Sequence, residues 1–213
     1  IKECAYALVP KGDTQKSRHL CIGRYLRRFI DEKATTGLDT QVEDRLFLLA
    51  ARHMNLGSDL LETGDEKVEL ARLNYQAGEL AFAISSFFSS GEYLQAGLSL
   101  LDKASRWDNH YDLTLQLATA LTHVRFCCGE TASISTLVDE ILEYGKSLKD
   151  KLGAYRSTIL SLFQEGKTEC AITMTLYVLD ELGVHMPHSF LKLSILRRLL
   201  RMRRKLRHYS VED

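Results

Sequence analysis

The chain has 213 residues, enough to bury an apolar core without disulfides or a structural metal. Apolar residues are 45% and charged residues 26%, with 28 Lys/Arg against 28 Asp/Glu, values that exclude a disordered, collagen-like or uniformly polybasic chain. The neutral total hides an asymmetry: residues 1–191 carry 20 Lys/Arg and 26 Asp/Glu, whereas residues 192–213 carry 8 and 2.

Two prolines in the whole chain fit mostly helical structure with short connections. The odd set Cys4, Cys21, Cys127, Cys128 and Cys170, without a C-x-x-C spacing, reads as reduced thiols in the cytoplasm. No apolar run approaches the ~20 residues of a membrane span. The first residues lack the form of a signal peptide. With no initiating Met, the sequence is expected to be a segment of something longer.

In chain order, helices are expected near 3–9, 13–31, 40–55, 65–77, 79–90, 92–102, 109–127, 130–148, 151–164, 167–183 and 189–208; residues 79–102 also fit one bent helix. Leu113, Leu117, Ala120, Leu121 and Val124 form one apolar helix face. Ile134, Leu137, Val138, Ile141, Leu142 and Leu148 form a second, and Ile172, Leu176, Leu179 and Leu182 a third. Thr40-x-x-Glu43 and Thr63-x-x-Glu66 are capping-box patterns, and Asp13, Asp108 and Ser189 are candidate N-caps. Breaks are expected at Pro10-Lys11-Gly12, Thr35-Thr36-Gly37, Thr63-Gly64, Gly129, Gly166 and Gly183 to Pro187.

The run from Glu69 to Leu101 is rich in Ala and Gly at helical spacing. Gly78, Gly91, Gly129 and Gly166 each precede a small or apolar residue by five positions: Ala83, Ala96, Ile134 and Ala171. In a tetratricopeptide-type hairpin the glycine permits the tight turn and the small residue lets the second helix lie close. The intervals are irregular, so any repeats are degenerate. The expected fold is all-α, a right-handed superhelix of stacked antiparallel helix pairs; a plain helical bundle with glycine-capped helices reads the same turns.

Several phrases in order carry a resemblance. They are Ala5-Tyr6-Ala7-Leu8-Val9-Pro10, His19-Leu20-Cys21-Ile22-Gly23-Arg24-Tyr25-Leu26, Met54-Asn55-Leu56-Gly57-Ser58-Asp59-Leu60, Leu70-Ala71-Arg72-Leu73-Asn74 with Ala77-Gly78, and Tyr93-Leu94-x-x-Gly97-Leu98-x-Leu100-Leu101. Trp107-x-x-x-Tyr111-Asp112-Leu113-Thr114-Leu115-x-Leu117, Val178-Leu179-x-x-Leu182-Gly183-Val184-x-x-Pro187 and Ser210-Val211-Glu212-Asp213 complete the set. Together they resemble the helical region behind the STAND-type ATPase module of multi-sensor serine/threonine kinases and hybrid histidine kinases. The resemblance implies three parts: residues 1–35 as the tail of a winged-helix-like linker, 36–187 as the repeat array, and 188–213 as a basic amphipathic helix that caps the array or links it to the next domain.

Candidate chemistry is sparse. Gly166-Lys167-Thr168 resembles the end of a phosphate-binding loop, but Ser161 stands where that loop needs its first glycine and a helical pattern precedes it. His185-Met186-Pro187-His188 offers two imidazoles and no third ligand. His53, His110 and His123 stand singly. Adjacent Cys127 and Cys128 suit neither a relaxed bridge nor a partnered nucleophile. No catalytic residue, metal or cofactor is expected.

In the C-terminal segment Ile195, Leu199, Met202 and Leu206 form an apolar stripe, with Arg197, Arg198, Arg201, Arg204, Lys205 and Arg207 on the other faces. The stripe suits docking on the last repeat; the cations suit a partner, an anionic membrane or nucleic-acid phosphates. The function expected is a non-catalytic scaffold or sensor segment that binds a protein or ligand and relays the event to neighbouring domains. Tyr75, Tyr93, Tyr111 and Tyr155 are candidates for its binding surface, with Arg197, Arg198, Arg201 and Arg204. A basic-helix membrane or nucleic-acid binder is the alternative, and a stand-alone helical enzyme a third.

Overall fold

The structure is a computed structural model that describes residues 12–33, 39–130, 133–185, 196 and 199–204. Helix α1 spans Asp13–Lys33, α2 Thr40–Leu56, α3 Gly64–Ala83, α4 Phe87–Leu100, the single turn α5 Arg106–Asn109, α6 Tyr111–Cys127, α7 Ser135–Tyr144, α8 Leu148–Gln164 and α9 Thr168–Glu181. Residues 199–204 are also helical, and no strand occurs among the described residues. The chain is therefore all-α. The helix expected near 3–9, the break at 35–37 and the cap at Ser189 lie outside the described residues.

Three helix starts differ from expectation. Asp13 is the first helical residue of α1 rather than its N-cap, and the Gly12 C=O accepts the Gln15 and Lys16 N–H groups. The N-cap of α2 is Asp39, whose Oδ1 accepts the Gln41 N–H at 3.1 Å, so Thr40 is already helical. A carboxylate one residue upstream outcompetes the threonine hydroxyl for the orphan N–H groups. Asp108 lies inside α5, and His110 precedes α6 without a side-chain cap. Thr63 caps α3 as expected, its hydroxyl accepting the Glu66 N–H at 3.2 Å. The full capping box belongs instead to Ser147 and Asp150 at the start of α8.

Four helix ends share one hydrogen-bond pattern. After α6, Gly129 N–H donates to Phe126 C=O and Glu130 N–H to Arg125 C=O. After α8, Gly166 and Lys167 donate to Phe163 and Leu162. After α9, Gly183 and Val184 donate to Asp180 and Leu179. Each is a Schellman turn with a left-handed glycine, at φ of +77, +76 and +76° respectively. The fourth follows α3, where Ser85 and Ser86 donate to Phe82 and Ala81. There a serine, Ser85, takes the left-handed position at φ +61°.

That serine relocates the break expected at Gly78. Helix α3 runs unbroken through Gly78, and α4 runs through Gly91. Gly78 serves close approach instead: a Cβ there would stand 2.6 Å from Leu94 Cγ of α4. Its carbonyl accepts the Ser90 hydroxyl at 2.7 Å in a fully buried contact. Gly97 plays the same part against Leu117 of α6, 2.9 Å from a Cβ placed on it.

Helices pack on near neighbours: α1 on α2, α2 on α3, α3 on α4, α4 on α6, α6 on α7 and α8, α7 on α8, and α8 on α9. A smaller contact joins α3 to α6. The core divides accordingly. Leu20, Ala51, Leu61, Leu70, Leu73 and Ala77 form an N-terminal cluster. Leu94, Leu98, Trp107, Leu117, Leu121, Val138, Ile141 and Ala154 belong to a larger one. Between α2 and α3, Asn55 and Asn74 exchange two amide hydrogen bonds of 2.7 Å, and Asn74 also donates to Leu70 C=O. Paired amides of this kind fix one register between two helices, since a slip orphans both.

Candidate functional site

Helices α3, α6 and α8 lie side by side and leave a cleft of about 400 Å³ between them. Its walls follow helical spacing. Tyr75 and Glu79 come from α3, one turn apart; Gln116, Thr119, Ala120 and His123 come from α6; Lys149, Gly153, Arg156 and Ser157 come from α8. Gly153 is required where α6 and α8 close, because a Cβ on it would lie 2.3 Å from Thr119 Cγ2. The Thr119 hydroxyl, at that closure, is buried without a hydrogen-bond partner.

The electrostatics are mixed. Burial lowers the His123 imidazole pKa and Arg156 lowers it further, against Glu79; the ring also lies 5.1 Å from Phe82. Burial, then Glu79, raises the Tyr75 phenol. Glu79, Lys149 and Arg156 make no ion pair among the described residues. The cleft thus presents the Glu79 carboxylate on α3 opposite Lys149, Arg156 and the Asp150 carboxylate on α8.

The four tyrosines separate. Tyr75 lines the cleft. Tyr111 closes one end: its hydroxyl donates to Asp150 Oδ2 at 2.7 Å and accepts the Lys146 N–H at 2.8 Å. The Lys146 ammonium sits 4.0 Å from the Tyr111 ring centroid. The Tyr111 hydrogen bond is the main reason Asp150 is held below the usual carboxylate range, with Ser147 adding to it against desolvation. Tyr93 is a packing residue whose hydroxyl donates to Leu48 C=O at 3.0 Å between α4 and α2. Tyr155 borders a second, open groove on α8 and α9 with Glu169, Cys170, Thr173, Met174 and Tyr177. Arg201 and Arg204 are exposed; Arg197 and Arg198 lie outside the described residues. Sequence reasoning missed Glu79, Lys149, Gly153 and Arg156. The repeat of Lys149, Gly153, Arg156 and Ser157 at i, i+4, i+7 and i+8 was the available signal.

The other motifs resolve into structure. The N–H groups of Gly166 and Lys167, which a phosphate loop would aim at its ligand, are consumed by Phe163 and Leu162 carbonyls, and Lys167 Nζ pairs with Glu165 at 2.7 Å. His185 pairs with Asp180; His188 lies outside the described residues. Among the described residues no three His, Cys, Asp or Glu side chains cluster for a metal. Cys21, Cys127, Cys128 and Cys170 are exposed free thiols. His53 does not stand alone: its Nδ1 lies 2.8 Å from His19 Nδ1 across α1 and α2. No helix among the described residues is long and apolar enough to cross a membrane.

No protein-family profile matches the chain, and no solved structure matches it. One curated protein, hybrid signal transduction histidine kinase G of Dictyostelium discoideum, is 24% identical over 160 residues, covering 68% of this chain. The match spans 5% of that kinase's length. The chain is therefore similar to a short stretch of a signalling kinase.

Proposed function

We propose that this chain is a non-catalytic helical-repeat segment of a larger signalling protein, and that the cleft between α3, α6 and α8 binds a protein segment. In this reading degenerate tetratricopeptide-like pairs stack into a right-handed superhelix. The observation that carries the proposal is the cleft itself: three helices far apart in sequence converge on it, and Glu79, Lys149 and Arg156 face it with no ion pair among the described residues. Charges so placed gain most from an occupant that carries complementary charge. The similarity to a stretch of a hybrid histidine kinase supports the signalling context.

Because each helix packs on near neighbours, the array bends at small cost. An occupant that bridges α3 and α8 would hold one curvature, and the change would pass to nucleotide-hydrolysing and kinase parts of the same polypeptide. A photo-reactive residue at Gln116, in the parent-length protein, tests the binding surface. A crosslink to one discrete peptide, absent when the probe sits at exposed Lys103, is expected. Equal labelling at both positions, or none at Gln116, overturns the proposal.

A further inference from the structure

The last helix of the array has an open side. Helix α9 packs substantially on α8 alone. Together they border an open groove of about 620 Å³ with an apolar floor of Tyr155, Cys170, Met174 and Tyr177. Tyr177 is 52% exposed. Carboxylates stand at the two ends: Glu169 borders the groove, and Glu181 is close enough to Tyr155 to act on its phenol. They are about 18 Å apart along the helix at 1.5 Å per residue. Helix α9 carries Glu169, Asp180 and Glu181 and no Lys or Arg.

A segment of opposite character lies next in the chain. Residues 192–207 hold eight Lys/Arg and no Asp/Glu. Leu199 and Met202, one turn apart on its helical part, are 57% and 59% exposed. Ten residues separate His185 from Leu196, eleven Cα-to-Cα steps of chain. Fully extended they reach about 36 Å, more than the about 21 Å length of α9. The tether therefore permits any position along the groove.

We propose that the α8–α9 groove is the docking site of the chain's own basic C-terminal helix, with Leu199 and Met202 on the Tyr155/Met174/Tyr177 floor and its arginines against Glu169 and Glu181. The contact covers the open edge of the array. This inference does not depend on the occupant of the α3–α6–α8 cleft.

Cys170 reports the contact, because its exposed thiol lies in the groove. The test uses the full 213-residue chain with Cys4, Cys21, Cys127 and Cys128 changed to Ser, and follows modification of Cys170 by a thiol reagent. Leu199→Asp/Met202→Asp is expected to speed modification about tenfold at low salt, the ratio set by a docking free energy of about 1.4 kcal/mol. Arg201→Glu/Arg204→Glu, which keeps the apolar stripe, is expected to speed it less, and added salt to narrow the difference. Circular dichroism of each variant checks that helix content is kept. Equal rates in parent and variants overturn the proposal. Protection that strengthens with protein concentration also overturns it, in favour of a second copy as the occupant.

Discussion

Removing the Glu140 carboxylate should destabilise the chain by about 3–5 kcal/mol, the cost of leaving a buried charge without its partner. The Arg106 side chain is 7% exposed and Glu140 23%, and the guanidinium bonds the carboxylate directly. The bond is made by a terminal nitrogen, and Arg106 Nε is buried without a hydrogen-bond partner. Trp107 beside it stacks on Tyr144, 5.4 Å away at 10°, so α5 grips α7 at two points one turn apart. In Glu140→Ala the guanidinium stays enclosed without a counter-charge. Arg106→Met should cost less, about 1–3 kcal/mol, because the more exposed Glu140 can turn to water. The double variant Arg106→Met/Glu140→Leu should return to within about 1 kcal/mol of the parent, since an apolar pair of similar volume replaces a buried ion pair at little loss. Urea unfolding at pH 7 measures all three. With a slope of about 2–3 kcal/mol per molar, Glu140→Ala should lower the midpoint by about 1–2.5 M. A loss below about 1 kcal/mol would refute the reasoning, because it is the value of an exposed pair.

Ser85→Gly should stabilise the chain by about 0.5–1 kcal/mol, the left-handed strain of a side chain less the extra freedom of an unfolded glycine; Gly166→Ala should cost about 1 kcal/mol by the same strain, and urea midpoints report both. Asn74→Leu should cost about 1–3 kcal/mol by orphaning the Asn55 amide, measured the same way against Asn55→Leu/Asn74→Leu, which should recover part of the loss. His53 is held below the ordinary imidazole value of about 6.5 by burial, then by His19 and Arg52, and His123 by burial and Arg156. The unfolded chain therefore binds more protons below that value. Stability is full above about pH 6.5 and falls as pH drops toward the folded-state values. The urea midpoint should be lower at pH 5.5 than at 7.5, and His53→Gln should reduce the difference.

Helix content and most helix ends were legible in the sequence, because Gly129, Gly166 and Gly183 mark left-handed turns that few other residues accept. The α3–α4 turn was not, because Ser85 adopts the same geometry without the glycine that announces it. Gly78 and Gly91 then drew the break away from its true place, although the close packing inferred around Gly78 is present. The cleft was hidden for a different reason. Tyr75 and Ser157 lie 82 positions apart in sequence, and only packing of α3, α6 and α8 joins them. Of the four tyrosines, Tyr75 lines that cleft and Tyr111 braces its end through Asp150. Tyr93 and Tyr155 share the residue type but lie on other interfaces, a distinction that spacing along one helix does not carry.

Capture of a protein segment by a photo-reactive residue at Gln116 is the most direct test of the cleft's proposed role. Lys149→Glu/Arg156→Glu reverses the cationic wall at exposed positions and should leave the chain's thermal midpoint close to the parent's, since exposed substitutions change stability by about 0.5 kcal/mol or less. With the fold kept, the Gln116 crosslink should be lost in this variant. A crosslink of unchanged yield in the folded variant would contradict the proposal.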